Sequence, residues 1–161
     1  MGRRQAVRRR ALVPVFGGSN PSAPAKNKGD VMLTKQVIVI RNDLNMRRGK
    51  SEAQACHASM KVFFDLSKKA GIEGEREMII PLTYAMDKWS SGQFTKISVS
   101  CNSEEELIDL YNKAKAMGVP CSLVEDSGKT EFHGEKTKTC IAIGPANSDT
   151  VDSITGTLKL R

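Results

Sequence analysis

Apolar and polar positions alternate along the chain in a pattern that predicts strands and helices in turn. Short apolar runs bounded by turn residues predict β-strands at residues 35–41, 96–101, 121–125 and 139–143. Amphipathic segments predict helices at residues 50–70, 104–117 and 147–154, with a shorter helix near residues 82–89. The rest of residues 71–95 is interrupted by glycine and proline and is predicted to be irregular.

The order of these elements predicts the fold class. The order strand, helix, strand, helix, strand is typical of right-handed parallel crossovers, so the first three strands are expected to run parallel. The link between the third and fourth strands is too short for a crossover helix, and that pair is expected to be antiparallel. The sequence therefore predicts an α/β fold of three layers, α/β/α, with a mixed four-stranded sheet between helices.

The first predicted helix carries two stripes. At about 100° per residue, one stripe is polar and consists of Lys50, Gln54, His57 and Lys61. A separate apolar arc is predicted to face the core and consists of Ala53, Cys56, Met60, Phe63 and Phe64. The polar stripe is a candidate site because ligand chemistry in open α/β sheets usually lies at the carboxyl end of a strand. The alternative for the stripe alone is a solvated helix face.

The length of the chain and the spacing of its cysteines indicate which classes of protein it can belong to. The 161 residues suit one domain with a hydrophobic core of its own. No apolar run approaches the roughly 18 residues of a membrane span, so we expect a soluble protein without a membrane partner. The four cysteines are widely spaced and form no C-x-x-C pair, which leaves a zinc site unsupported. Free thiols in a reducing compartment, the cytoplasm, are expected.

Charge is distributed unevenly. The net charge is +7, of which residues 1–31 contribute +6 and the remaining residues +1. Within the nearly neutral body, Arg41, Arg47, Arg48 and Lys50 fall within ten positions at the end of the first predicted strand. Such a cluster can bind phosphate, and it is also typical of a solvated loop.

Residues 1–31 differ from the rest in composition, with an arginine-rich start and then glycine, serine and proline, and are expected to be a disordered tail. Three interpretations stay open for this tail. It can bind nucleic acid, or it can be an organelle-targeting segment. It can also be foreign to the protein, because Gly18-Ser19-Asn20-Pro21 is what one frame of a tRNA T-arm sequence encodes, and Met32 is then the expected start.

Further candidate residues follow the third predicted strand. Asp126 ends that strand, and Thr130 lies four residues further on. If the first and third strands are parallel, both residues lie at the same sheet edge as Asp43 and Lys50. A carboxylate can orient or deprotonate water, a lysine can stabilise an oxyanion, and the side chains of Thr130 and Gln54 can position a substrate. This arrangement suits hydrolysis, although an aspartate before Ser-Gly is also typical of a turn.

Motifs of other enzyme classes are missing from the sequence. No Gly-x-Gly-x-x-Gly follows the first strand, no complete P-loop motif occurs, and there is no Gly-x-Ser-x-Gly elbow. A dyad of Cys56 and His57 is disfavoured because neighbours on a helix point about 100° apart. The residues around Lys50 and Asp126 are left as the main candidates.

Several ordered blocks between about residues 35 and 160 carry a family resemblance. They are Arg41-Asn42-Asp43-Leu44-x-Met46-x-x-Gly49-Lys50-x-x-Ala53-Gln54-x-x-His57-Ala58, Trp89-x-x-Gly92-Gln93, Asp126-x-Gly128-x-Thr130, Gly144-Pro145 and Thr155-Gly156-x-Leu158-Lys159-Leu160. In these blocks the chain resembles the type 2 peptidyl-tRNA hydrolases. The resemblance implies hydrolysis of the ester between a peptide and the 3′ end of tRNA, without a cofactor or metal, on a mixed four-stranded sheet between helices.

The resemblance also implies roles for individual residues. Catalytic roles are implied for Lys50, Asp126 and Thr130, with Gln54 alongside. A surface that faces tRNA is implied for Arg41, Asp43, Arg47, Arg48 and His57. The implied partners are tRNA and, by family analogy, a second copy in a homodimer. Two alternatives stay open: a catalytically silent module of the same fold that binds tRNA or protein, and a hydrolase of another ester or amide.

The chain departs from the family pattern at three positions near these residues. Ala55 stands where cysteine is common, Ser127 where alanine is common, and Glu131 where glutamine is common. The added negative charge at Glu131 can repel phosphate, so substrate contacts near Thr130 are the part of the resemblance most affected.

Overall fold

The computed structural model describes residues 32–161, and the predictions for the tail of residues 1–31 lie outside the described residues. The strands are β1 (Thr34–Arg41), β2 (Lys68–Ile72), β3 (Glu75–Ile79), β4 (Lys96–Cys101), β5 (Cys121–Asp126), β6 (Thr137–Asn147) and β7 (Lys159–Leu160). The helices are α1 (Arg48–Leu66), α2 (Tyr84–Ser91), α3 (Glu104–Ala116) and α4 (Ser148–Thr155). Within residues 32–161, no helix is long and apolar enough to cross a membrane.

The main sheet has the strand order β5-β6-β1-β4-β7. Strands β1 and β4 pair in parallel, and β6 pairs antiparallel with both β1 and β5. It follows that β1 and β5 run in the same direction, and their carboxyl ends meet at one edge of the sheet. The α/β class, the mixed sheet and the antiparallel pair of the third and fourth predicted strands are therefore confirmed.

The predicted number of four strands is wrong, because β7 adds a fifth strand antiparallel to β4. With two residues, β7 is too short to show the alternation by which a strand is found in a sequence. The predicted end of the fourth strand at Ile143 is also wrong, since β6 continues to Asn147 through Gly144 and Pro145. The backbone at Gly144 has φ +89°, where a Cβ atom would lie 2.5 Å from the carbonyl oxygen of Lys35.

Strand β1 divides the core into two clusters. Val37 and Val39 face residues of α3 and α4, whereas Ile38 and Ile40 face residues of α1. All four side chains are buried, which explains why a central strand appears in the sequence as an uninterrupted apolar run. Helices cover both faces of the sheet. Because β1 is the middle strand, its carboxyl end lies at the middle of the sheet edge at which α1 begins.

The predicted core face of α1 is wrong. The buried residues of this helix are Ser51, Gln54, Ala58, Ser59 and Val62. The predicted apolar arc is mostly exposed, including Cys56, Met60 and Phe64, while Phe63 is half-buried and stacks on the ring of Trp89. Small side chains on the buried face let the helix lie close to the sheet, and the polar ones find partners there: Ser59 Oγ donates to Gln36 Oε1 at 2.6 Å.

Residues 68–79 form a two-stranded ribbon of β2 and β3. A helix was predicted as far as residue 70 and an irregular segment from residue 71, and both predictions are wrong here, since α1 ends at Leu66. Every residue of both strands is exposed, so the ribbon lacks the one-sided apolar pattern that predicts a strand. The short helix expected near residues 82–89 is present as α2. Its first turn is capped by Thr83, whose hydroxyl accepts from the Met86 amide at 3.2 Å.

The four cysteines are free. Burial raises the pKa of Cys101 to about 11 and that of Cys140 to about 12, so both thiols stay protonated at neutral pH. Cys56, predicted to lie in the core, is exposed instead.

Candidate active site

Three of the predicted catalytic side chains meet at the carboxyl edge of the sheet. Asp126 ends β5, Lys50 lies in the first turn of α1, and Thr130 lies in the loop after β5. Lys50 Nζ donates to Asp126 Oδ1 at 2.5 Å and to Thr130 Oγ1 at 3.0 Å. The parallel direction of β1 and β5 produces this meeting, as the sequence predicted.

Gln54 joins the same cluster from the buried face of α1. Its Nε2 donates to Asp126 Oδ1 at 3.2 Å, and its Oε1 accepts from Thr139 Oγ1 at 2.5 Å. Thr139 lies in β6, is fully buried and was missed by the sequence analysis. A polar residue in an apolar strand was the only available signal. Because the Thr139 hydroxyl takes the amide oxygen, the amide nitrogen is left to face Asp126.

Asp126 is held as a carboxylate. Its Oδ2 accepts from the Gly128 amide at 3.0 Å, so both of its oxygens have donors. The hydrogen bond from Lys50 holds the pKa of Asp126 below its ordinary value, the Gly128 and Gln54 hydrogen bonds and the Lys50 charge act in the same direction, and partial burial opposes them. The carboxylate is therefore ionised at neutral pH.

The loop of residues 127–136 contributes a second contact to Lys50 besides that of Thr130. The Phe132 ring centroid lies 5.7 Å from Lys50 Nζ, within the range of a cation–π contact. Phe132 was also missed by the sequence analysis, since an aromatic residue in a polar loop has no pattern around it. With 14 % of its side chain exposed, Lys50 is shielded but reachable from solvent.

Arg41 and Asp43 lie in a second network next to this cluster. The Arg41 guanidinium donates to both carboxylate oxygens of Asp43, to Glu104 Oε2 at 2.9 Å and to the Lys138 carbonyl at 3.1 Å. Only 10 % of the Arg41 side chain is exposed. The hydrogen bond from Arg41 holds the pKa of Asp43 below its ordinary value. Through Lys138 this network holds the start of β6, one residue before Thr139.

The other predicted tRNA-facing residues are exposed. Arg47 lies just before α1 and pairs with Glu131, with Nε and Oε1 2.7 Å apart. Arg48 pairs with Glu52 on the same helix at 2.8 Å, with 93 % of its side chain exposed. His57 is exposed on α1, one turn beyond Gln54. The structure thus brings Lys50, Gln54, Asp126 and Thr130 together and leaves these three side chains exposed on α1 or just before it.

Among residues 32–161, no group of three or more His, Cys, Asp or Glu side chains is arranged to hold a metal ion. The cluster of Lys50, Asp126, Thr130 and Gln54 offers one ammonium, one carboxylate, one hydroxyl and one amide. Such groups can bind and polarise an ester carbonyl and orient water.

Comparison with known proteins identifies the family. The family model of peptidyl-tRNA hydrolase PTH2 matches residues 34–161. The chain belongs to this family. A peptidyl-tRNA hydrolase of Methanocaldococcus jannaschii is 43% identical over 126 residues, which are 78% of this chain and 98% of that protein. The Lys50–Asp126 cluster lies within the part of the chain that matches the PTH2 family model.

Two further relatives have similar names. A peptidyl-tRNA hydrolase of Methanothermobacter thermautotrophicus is 40% identical over 126 residues, 78% of this chain and 98% of that protein. A probable peptidyl-tRNA hydrolase 2 of Dictyostelium discoideum is 40% identical over 126 residues, 78% of this chain and 54% of that longer protein. The similarity therefore covers most of the chain, as the resemblance implied.

Proposed function

We propose that this protein hydrolyses the ester bond between a peptide, or an N-blocked amino acid, and the 3′ end of tRNA, and so releases free tRNA for translation. Membership of the PTH2 family supports this activity. The observation that carries the proposed site is the contact of Lys50 Nζ with both Asp126 and Thr130. Water is the attacking group, and the products are a free carboxylic acid and a tRNA with its terminal hydroxyl restored.

Lys50 stabilises the oxyanion in this mechanism. An ammonium has three N–H donors. Two of those of Lys50 bind Asp126 and Thr130. The third is available for the ester carbonyl oxygen, which becomes negative when water adds to the carbonyl carbon. The Phe132 ring and partial burial lower the local dielectric, which strengthens this interaction.

Asp126 orients Lys50 and the attacking water. Its lowered pKa makes it a weak base at neutral pH. Asp126 therefore contributes to the reaction by accepting a hydrogen bond from the attacking water rather than by acting as a general base. Water addition releases one proton and the departing ribose oxygen takes one up, so the protons balance over the complete reaction. Thr130 and Gln54 fix the ester relative to these groups.

The tRNA backbone contacts the basic residues at the start of α1. Arg48 is exposed there and reaches phosphates in a sequence-independent, salt-sensitive way, whereas the exposed Arg47 beside it is paired with Glu131. His57 contributes to the same surface. Arg41 and Asp43 serve this surface indirectly, because the buried Arg41 guanidinium is taken up by carboxylates and a carbonyl and holds the segment before α1.

Peptide release from an N-blocked aminoacyl-tRNA by the full chain tests this proposal. Lys50→Ala and Asp126→Asn are expected to lower kcat/KM by about 100-fold or more. The first removes the donor to the oxyanion, and the second removes the carboxylate that positions this donor. Lys61→Ala and Asp65→Asn are matched controls, because this ion pair lies on the same helix about three turns beyond Lys50. Both controls are expected to stay within about threefold of the parent.

The outcomes separate site from function. If folded Lys50→Ala and Asp126→Asn variants still cleave the ester, the proposed function stands and the proposed catalytic residues are wrong. A folded parent that binds tRNA without cleaving the ester is the catalytically silent module instead.

The compartment and the assembly are part of the same proposal. Release of tRNA for translation assigns the protein to the cytoplasm, and a homodimer is proposed by family analogy. Light scattering coupled to size-exclusion chromatography measures the mass in solution, and a mass of one 17.6 kDa chain contradicts the dimer.

A further inference from the structure

One ion pair connects the loop after β5 to the start of α1, directly beside the catalytic cluster. Glu131 follows Thr130, and Arg47 lies three residues before Lys50. Arg47 Nε donates to Glu131 Oε1 at 2.7 Å, and the Arg47 amide lies 3.4 Å from Oε2. The side chain of Glu131 is 14 % exposed, whereas that of Arg47 is 78 % exposed. The carboxylate is thus enclosed by the protein, and the guanidinium faces solvent.

The start of α1 also favours the Glu131 carboxylate. The N-cap residue Arg47 makes no side-chain cap, and the first turn of α1 contains no acidic residue. The positive end of the helix dipole therefore has no negative charge in its own first turn, and Glu131 supplies one from another segment. Two independent interactions hold this carboxylate in place.

We propose that Glu131 sets the affinity for tRNA by cancelling the charge of Arg47, so that Arg47 does not count as a phosphate-binding residue in this protein. The inference rests on the proposed function, because it concerns the tRNA surface of the same site. Each basic side chain that neutralises a phosphate steepens the dependence of binding on salt by about 0.7 to 0.9 in log–log slope. A guanidinium that is already neutralised by an enclosed carboxylate adds nothing to that slope.

The neighbouring pair shows the difference. Arg48 also has a carboxylate partner, Glu52, but 93 % and 63 % of these two side chains are exposed. An exposed pair on one helix is weak and exchanges its partners readily. Arg48 therefore remains free to bind phosphate, and Glu131 weakens the binding of tRNA only at Arg47. A weaker grip at this point favours release of the tRNA product.

The test is the salt dependence of binding of deacylated tRNA to the full chain, between 50 and 200 mM KCl. Glu131→Gln removes the charge and retains an oxygen that can accept from Arg47. Its log–log slope is expected to be steeper than that of the parent by about 0.7 to 0.9, so the fourfold rise in salt costs this variant about threefold more affinity. Glu131→Ala is a second variant with the same charge and the same expected slope.

Two controls make the test specific to the pair. Glu105→Gln makes the same change of charge on α3, and Glu105 has no ion pair within residues 32–161; its slope is expected to equal that of the parent. The double variant Arg47→Ala, Glu131→Gln removes both charges and is expected to return to the parental slope.

Equal slopes in the parent, Glu131→Gln and Glu131→Ala overturn the inference, as does a steeper slope that persists in the double variant. A parent that binds and cleaves with unchanged slopes in the variants overturns this inference alone. A parent that neither binds tRNA nor cleaves the ester overturns the proposed function together with it.

Discussion

At the scale of single residues, the site depends on which atom each polar group faces. The Asp126 carboxylate can only accept, so Gln54 faces it with its nitrogen, and the buried Thr139 hydroxyl donates to the Gln54 oxygen on the other side. The Arg41 contact with the Lys138 carbonyl fixes the strand just before Thr139. The contacts of the Asp126 carboxylate with Gln54 are therefore supported by residues that do not touch Asp126 themselves.

Replacement of Thr139 tests this positioning role. Thr139→Val keeps the shape of the side chain and removes the donor to Gln54, which leaves a buried amide oxygen without a partner. The free energy of unfolding is expected to fall by about 1–3 kcal/mol, and kcat is expected to fall more than KM rises. Thr139→Ser restores the hydroxyl and should recover most of kcat. Chemical denaturation and steady-state kinetics measure both quantities, and an unchanged kcat in Thr139→Val contradicts the role.

The lowered pKa of Asp126 makes a prediction about acid stability. The carboxylate stabilises the folded state fully above its unfolded pKa of about 4. This contribution is lost as the pH falls through the lower pKa of the folded state. Below about pH 4, the stability of the parent should therefore fall more steeply than that of Asp126→Asn, which has no carboxyl group to protonate. Urea unfolding from pH 7 to 3 measures the two curves, and parallel curves count against the Lys50–Asp126 pairing.

At the scale of secondary elements, the loop of residues 127–136 is the element that completes the site. It carries Thr130, Glu131 and Phe132, and it folds back on itself through hydrogen bonds from Phe132 and Gly134 to the Gly128 carbonyl. Gly128 has φ +78°, and a Cβ atom there would lie 2.3 Å from the Glu135 carbonyl oxygen. The loop can close only because this position has no side chain.

Two glycines of this loop form a matched pair for mutagenesis. Gly128→Ala combines a left-handed backbone with a clash against backbone atoms, so it is expected to displace Thr130 and lower kcat/KM by about tenfold or more. Gly134→Ala has a similar φ of +87° but meets nothing within 4 Å. Its cost is expected to be only the backbone strain of about 1–2 kcal/mol, with activity close to that of the parent. Equal activities of the two variants would show that the close approach at Gly128 is unimportant.

At the scale of the whole molecule, the ribbon of β2 and β3 is an addition to the domain. Its residues are exposed on both faces, and its strands pair only with each other in the described sheets. An isolated two-stranded ribbon is marginally stable by itself. The Lys50–Asp126 cluster lies at the start of α1, whereas the ribbon follows the end of that 19-residue helix.

Shortening the ribbon is expected to leave the enzyme intact. Replacement of residues 70–77 by Asn-Gly retains a tight hairpin turn between the remaining strand ends. Because little apolar surface is lost from the core, the Tm is expected to change by less than about 3 °C, with kcat/KM within about twofold of the parent. Calorimetry and the ester assay measure these values, and a large loss of either quantity would show that the ribbon contacts the substrate or the core.

The sequence by itself determined the α/β class, the parallel direction of the first and third predicted strands, and the meeting of Lys50, Gln54, Asp126 and Thr130. These conclusions depend on local periodicity and on the order of elements, which the chain contains in full. It also determined the family, because the blocks that carry the resemblance lie in one order along the chain.

Only the tertiary structure decided which face of α1 is buried. Periodicity separates the two faces of a helix but does not say which one meets the sheet, and here a polar, small-residue face allows the closer approach. The tertiary structure also decided the pairing of Arg41 with Glu104, of Thr139 with Gln54 and of Glu131 with Arg47, because the two residues of each pair lie far apart along the chain. Hydrogen bonds and ion pairs over such separations depend on atomic positions that no local pattern contains.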